Sequence, residues 1–129
     1  MVEKILTMKL LKEKYGVCRL GKTELIPEWA LNSEFFSITK TSDELSIVCY
    51  QGNIPSYIKC ERDWRILKIE GPLDFSLIGI LSSISAILAN NKISIFAIST
   101  YDTDYILVKS SDLDNAIQSL TKERYEVIE

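Results

Sequence analysis

Trp64-Arg65-Ile66-Leu67-Lys68-Ile69-Glu70-Gly71-Pro72-Leu73-Asp74-Phe75-Ser76 is the stretch on which the fold of this chain turns. Trp64, Ile66 and Lys68 alternate with Arg65, Leu67 and Ile69, which predicts a strand over 64–70. Gly71-Pro72 interrupts it. Leu73, Leu77, Ile80, Leu81, Ile84, Ile87 and Leu88 then recur at three- and four-residue steps. That spacing predicts an amphipathic helix opening near Leu73 and stopped by Asn90-Asn91. Ile93 to Ser99 is apolar on both faces, as an interior strand should be. Tyr105 to Val108 follows the turn at Thr100 to Asp104. Ser111-Asp112-Leu113-Asp114 matches a capping box. Leu113, Ala116, Ile117 and Leu120 give the stripe of a second helix, and Tyr125 to Ile128 a closing strand.

The order β-α-β-β-α-β is that of a ferredoxin-like α+β unit with an antiparallel sheet. A helix returns the chain between strands 64–70 and 93–99, so the two run the same way. Their following loops, Glu70 to Ser76 and Thr100 to Asp104, should be neighbours. Working back toward the N-terminus, Ile5 to Leu11 and Tyr15 to Leu20 predict a hairpin. Pro27 predicts the first turn of a short helix. Phe35 to Thr41 and Leu45 to Tyr50 predict a second hairpin, and 57–60 a further short strand. The halves share a rough strand–helix–strand–strand order, which suggests a degenerate tandem of 1–62 and 63–129.

Hydrophobic residues make up 47% of the 129, enough to bury a core. No apolar run is long enough for a membrane span, and the N-terminus lacks the grammar of a secretory signal. Cys18, Cys49 and Cys60 have no metal spacing and read as small apolar residues of a cytoplasmic protein. The net charge of −3 argues against nucleic acid as a partner. With no histidine in the chain, the commonest general base is missing. Cys49, Cys60 and Lys68 are the remaining candidate reactive groups, and none has a readable companion base. No catalytic residue, metal ligand or cofactor is expected.

The second half is the acidic one: residues 63–129 carry ten acids against six bases, residues 1–62 eight against nine. Glu70, Asp74, Asp102 and Asp104 gather at the predicted edge. Amide groups at a helix start favour an anion, and nearby acids favour a cation. Together they describe a receptor for a zwitterion. The plainer reading stands beside it. Asp74 as an ordinary first-turn acid and Asp102 and Asp104 as ordinary hairpin residues explain the same pattern. Calcium is a further alternative, without the spacing of a known loop.

Residues 64–76, followed by Ile93-Ser94-Ile95-Phe96-Ala97-Ile98-Ser99-Thr100-Tyr101-Asp102-Thr103-Asp104-Tyr105-Ile106-Leu107-Val108, resemble the ACT domain of the CASTOR type. Phe35 to Thr41 and Asp43-Glu44-Leu45-Ser46 resemble the N-terminal half of its bacterial members. The resemblance implies tandem ferredoxin-like ACT domains that pair, as in a homodimer, and bind an amino acid between paired domains. It implies a regulatory module rather than an enzyme. It carries over a ligand site at Gly71, Pro72, Leu73, Asp74, Phe75 and Ser76, with Ser94 and Ile95 as backbone contacts from a neighbouring domain. It also places Tyr101 and Asp104 on a surface for a protein partner. A structural or protein-interaction domain with a vestigial pocket is the alternative. A short chain of this kind would act on a partner or as a subunit.

Overall fold

The computed structural model describes residues 6–70 and 79–129. The chain divides into two compact units, one of residues up to Lys12 together with Arg65 onward, the other of Glu13–Trp64. The division runs inside one strand. A cut into 1–62 and 63–129 would leave the first strand apart from its ladder partners.

The first unit carries β1 (Thr7–Leu10), the end of β5 (Cys60–Ile69), α1 (Ile80–Asn90), β6 (Ile95–Ser99), β7 (Asp104–Lys109), α2 (Leu113–Lys122) and β8 (Glu126–Ile128). The β-α-β-β-α-β order is therefore complete in it. Its strands lie in the order β8-β1-β5-β7-β6. β1 is antiparallel to β5 and parallel to β8, so it is inserted between two strands of the βαββαβ sequence. Period-two alternation explains its place. Met8 and Leu10, Leu67 and Ile69, and Ile106 and Val108 are all buried in one core with Ile84 and Leu88 of α1 and Leu113, Ala116 and Leu120 of α2. Each fully buried Leu or Ile contributes roughly 1.5–3 kcal/mol.

The expected hairpin between β1 and β2 (Tyr15–Leu20) does not form, because β2 pairs with β4 and β5. Both segments alternate, and local alternation cannot choose a partner. Cys18 of β2 belongs to a different core from Met8 and Leu10. Strand 93–99 is also not interior. Among the described residues β6 pairs with β7 alone, and its residues are half-buried or exposed.

The α1 helix is bounded on its N-terminal side by a glycine. It begins at Ile80, after Gly79 at φ 83°. A left-handed residue ends helical continuity, and glycine adopts it without steric cost. The helix start read near Leu73, with Leu73 and Leu77, lies outside the described residues. The capping box at α2 is unmade: Asp112 stands at the N-cap without a side-chain cap hydrogen bond, and a 3-10 turn over Ser110–Asp112 leads in instead.

Both helices end alike. Lys92 N donates to Ala89 O at 2.9 Å and Ile93 N to Leu88 O at 3.0 Å; Arg124 N donates to Thr121 O at 3.0 Å and Tyr125 N to Leu120 O at 3.1 Å. These are Schellman closures. Lys92 (φ 61°) and Arg124 (φ 73°) hold the left-handed position usually given to glycine.

The second unit is built from β2, β3 (Ser37–Lys40), β4 (Leu45–Tyr50) and residues 60–64 of β5, in the order β3-β4-β2-β5, all antiparallel. The β3–β4 hairpin forms as expected, its turn held by Asp43 and Glu44 amides donating to Thr41 Oγ1 at 3.1 Å each. Pro27 precedes a 3-10 turn (Glu28–Leu31) rather than an α-helix. Residues 57–59 are not a strand. Cys18, Ala30, Leu45, Ile47, Cys49 and Ile54 form the core, with Trp29 packed against it. Among the described residues this unit has no α-helix, since no segment of 13–64 sustains a 3.6-residue stripe.

Candidate ligand-binding corner

The site begins where β5 ends. Ile69 is fully buried, and the next residue, Glu70, is tied back to β1 by its amide, which donates to Thr7 O at 2.9 Å. Across from it lies the β6–β7 turn. Thr100 N donates to Thr103 O at 2.8 Å, and Thr100 Oγ1 donates to the same oxygen at 3.0 Å. Thr103 is 4% exposed, and its hydroxyl donates to Ile69 O at 2.6 Å. One side chain thus fastens the end of β5 to the β6–β7 turn. The two turns are neighbours, as the topology requires.

Acids rim this edge. Asp102 is exposed and Asp104 half-buried, at the last rung of the β6–β7 ladder, opposite Ser99. Glu70 lies 3.9 Å from Lys68 Nζ in a half-exposed ion pair. That pairing engages the lysine considered as a Schiff-base former. Tyr101 is 83% exposed at the tip of the turn, beside Asp104.

Gly71, Pro72, Leu73, Asp74, Phe75 and Ser76 lie outside the described residues. Ser94 is exposed and Ile95 half-buried, at the start of β6. They stand a strand's length, about 17 Å, from the turn at the other end. Within one copy, then, Glu70, Thr103 and Asp104 come together while Ser94 and Ile95 do not join them. The first turn of α1, from Ile80, carries no acidic residue, and the amides expected to cradle an anion, those of 71–76, lie outside the described residues. Thr103 was not singled out by sequence reasoning. The signal was present: Thr100 and Thr103 are spaced for hydroxyl–backbone bonds across a turn, and a buried hydroxyl needs a partner.

Among the described residues no group of acids, cysteines or histidines is gathered to hold a metal ion, and no helix is long and apolar enough to cross a membrane.

Comparison with known proteins bears on the family and the fold. The family model described as ACT domain matches residues 59–122, and a model described as an N-terminal domain matches residues 13–57. The chain is 30% identical over 101 residues to the cytosolic arginine sensor for mTORC1 subunit 1 of Bos taurus, an alignment taking in 70% of this chain and 31% of that protein. It therefore spans about a third of that relative. A crystal structure of a protein from Agobacterium tumefaciens superposes with a TM-score of 0.91 at 39% identity, covering 95% of this chain and 92% of that one. The ligand-free regulatory subunit of aspartate kinase from Thermus thermophilus superposes at a TM-score of 0.57 and 12% identity, over 92% of this chain and 98% of that one, which shows a shared fold. With βαββαβ order, an antiparallel-rich sheet and these matches, the chain belongs to the ACT domain family and is similar to the CASTOR proteins within it.

Proposed function

We propose that this chain is a non-catalytic regulatory module that binds a free amino acid at the corner between the end of β5 and the β6–β7 turn. The observation that carries this reading is the Thr103–Ile69 bond at 2.6 Å, which holds two acid-bearing turns side by side in an ACT-family fold. A relative named as an arginine sensor supports an amino acid as the ligand class. The ligand's ammonium would meet Asp74 and the acids of the rim. Its carboxylate would meet backbone amides of 71–76.

The distance of Ser94 and Ile95 from the corner favours a homodimer, in which the second copy brings its own Ser94 and Ile95 to this site. Tyr101 and Asp104 then form the surface offered to a protein partner in the cytoplasm. A non-catalytic role fits the thiols as well. Burial, aided by the hydrogen bond with Cys18, pushes the Cys60 thiol up to about 12, so it is not a ready nucleophile at neutral pH.

A thermal-shift screen of the twenty amino acids at millimolar concentration tests the reading. A ligand at a hundred times its Kd stabilises by about 2.7 kcal/mol, so at least one amino acid should raise Tm by several degrees. Asp74→Ala should remove that rise while leaving the unliganded Tm within a degree or two. Twenty flat curves would instead favour a protein-interaction domain with a vestigial pocket.

A further inference from the structure

All three cysteines of the chain lie in the Glu13–Trp64 unit, in or against one core. Their spacing in sequence carries no signal; strand register brings them together. Cys18 on β2 stands directly opposite Cys60 on β5. Arg19 N donates to Lys59 O at 3.0 Å, so the hydrogen-bonded rung lies next to the 18/60 pair and that pair itself is the close, non-bonded kind. Such pairs have Cα atoms about 4.5 Å apart, inside the roughly 4.4–6.8 Å that a disulfide spans. The sulfurs are already 3.5 Å apart. Gly16 leaves the room for them: a Cβ there would meet Cys60 Sγ at 2.7 Å. Cys49 is placed differently. Its ladder partner on β2 is Gly16, so it lies diagonal to Cys18, and it is fully buried. Cys60 alone among the three has solvent access.

The geometry points to a redox modification site: Cys18 and Cys60 close to a cross-strand disulfide by exchange with a small-molecule disulfide, while Cys49 stays a thiol. The half-buried Cys60 loses its proton to solvent, and its sulfur attacks the small disulfide. One small thiolate leaves, and a mixed disulfide forms on Cys60. The Cys18 sulfur, deprotonated in turn, attacks Cys60 Sγ and expels the second small thiolate. The two departing thiolates take up two protons. The protein is oxidised by two electrons, and the small disulfide is reduced to two thiols.

Two consequences follow. Burial keeps Cys60 protonated at neutral pH, so closure is slow there and its rate climbs about tenfold per pH unit as thiolate accumulates. The site therefore reads a sustained redox poise rather than a brief oxidant pulse. Second, the bridge joins residues 42 apart and constrains the unfolded chain, so the oxidised protein melts higher.

The full chain is equilibrated at pH 8.5 with reduced and oxidised glutathione at graded ratios. It is then quenched with acid, alkylated in denaturant and peptide-mapped by mass spectrometry. The expected product has no disulfide between chains, carries a Cys18–Cys60 bridge with Cys49 alkylated, and melts at least ~4 °C above the reduced form. Cys49→Ala should bridge as before, and Cys60→Ser should not bridge. A Cys18–Cys49 bridge, glutathione stranded on Cys60, or three alkylated thiols at the most oxidising ratio would each overturn the proposal. The map of the unmutated chain decides this even if a variant fails to fold.

Discussion

Replacing Thr103 by valine removes one hydroxyl and almost no volume. The Thr103 side chain is buried, and its Oγ1 donates to Ile69 O at 2.6 Å. That carbonyl points away from β1, whose adjoining rung is made by Glu70 N and Thr7 O. Valine keeps the β-branched shape, so no cavity opens. What is lost is a donor to a buried oxygen, a change that costs about 1–3 kcal/mol. The methyl that replaces the hydroxyl recovers part of this, and a net loss of about 1–2 kcal/mol is expected. In urea, Cm should fall with m unchanged, and Tm should drop by roughly 3–10 °C. Hydrogen exchange should quicken at Glu70 and across 100–104 while α2 keeps its protection. A stability change within ~0.3 kcal/mol of zero, or faster exchange spread evenly over the unit, would refute the view that this hydroxyl fastens the two turns.

Gly79→Ala should destabilise by about 1 kcal/mol, read by urea titration. A Cβ there meets nothing within 4 Å, so the penalty is that of the left-handed backbone alone. Lys92→Gly and Arg124→Gly should do the opposite and stabilise by about 0.5–1 kcal/mol each, since both positions carry the same backbone strain at a helix end. Cys60 supplies a pH test. Its folded pKa, about 12, lies above the ordinary 9.0, so below pH 9 both states are protonated and stability is unaffected. Between pH 9 and 12 the unfolded thiol ionises first and stability falls. Unfolding of Cys60→Ser over that window should show a shallower fall than the parent, and equal slopes would count against the assignment.

The sequence made much of this fold legible. Period-two alternation at Leu67 and Ile69 and the 113–116–120 stripe marked elements that pack as read. The Asn90-Asn91 stop fell where expected because Asn91 caps α1 and Lys92 closes it. What stayed hidden is non-local or conformational. β1 alternates like β2, but its partners lie some sixty residues away in β5 and at the far end in β8. Apolar spacing ran straight through Gly79, because periodicity carries no information about the sign of φ. β6 looked interior by composition and, among the described residues, is paired on one side only. At the corner, charges drew attention to Asp102 and Asp104, whereas the residue joining the turns is an uncharged threonine. The Cys18–Cys60 juxtaposition depends on register, which no spacing rule supplies.

The central claim is that the corner beside Ile69 and Thr103 holds a free amino acid. Native mass spectrometry of the purified chain with each of the twenty amino acids tests it directly. The account predicts a species heavier by one amino acid per chain, for at least one of the twenty, whose population collapses in Asp74→Ala. Bare protein across the whole set, or an adduct whose occupancy ignores Asp74, would contradict it.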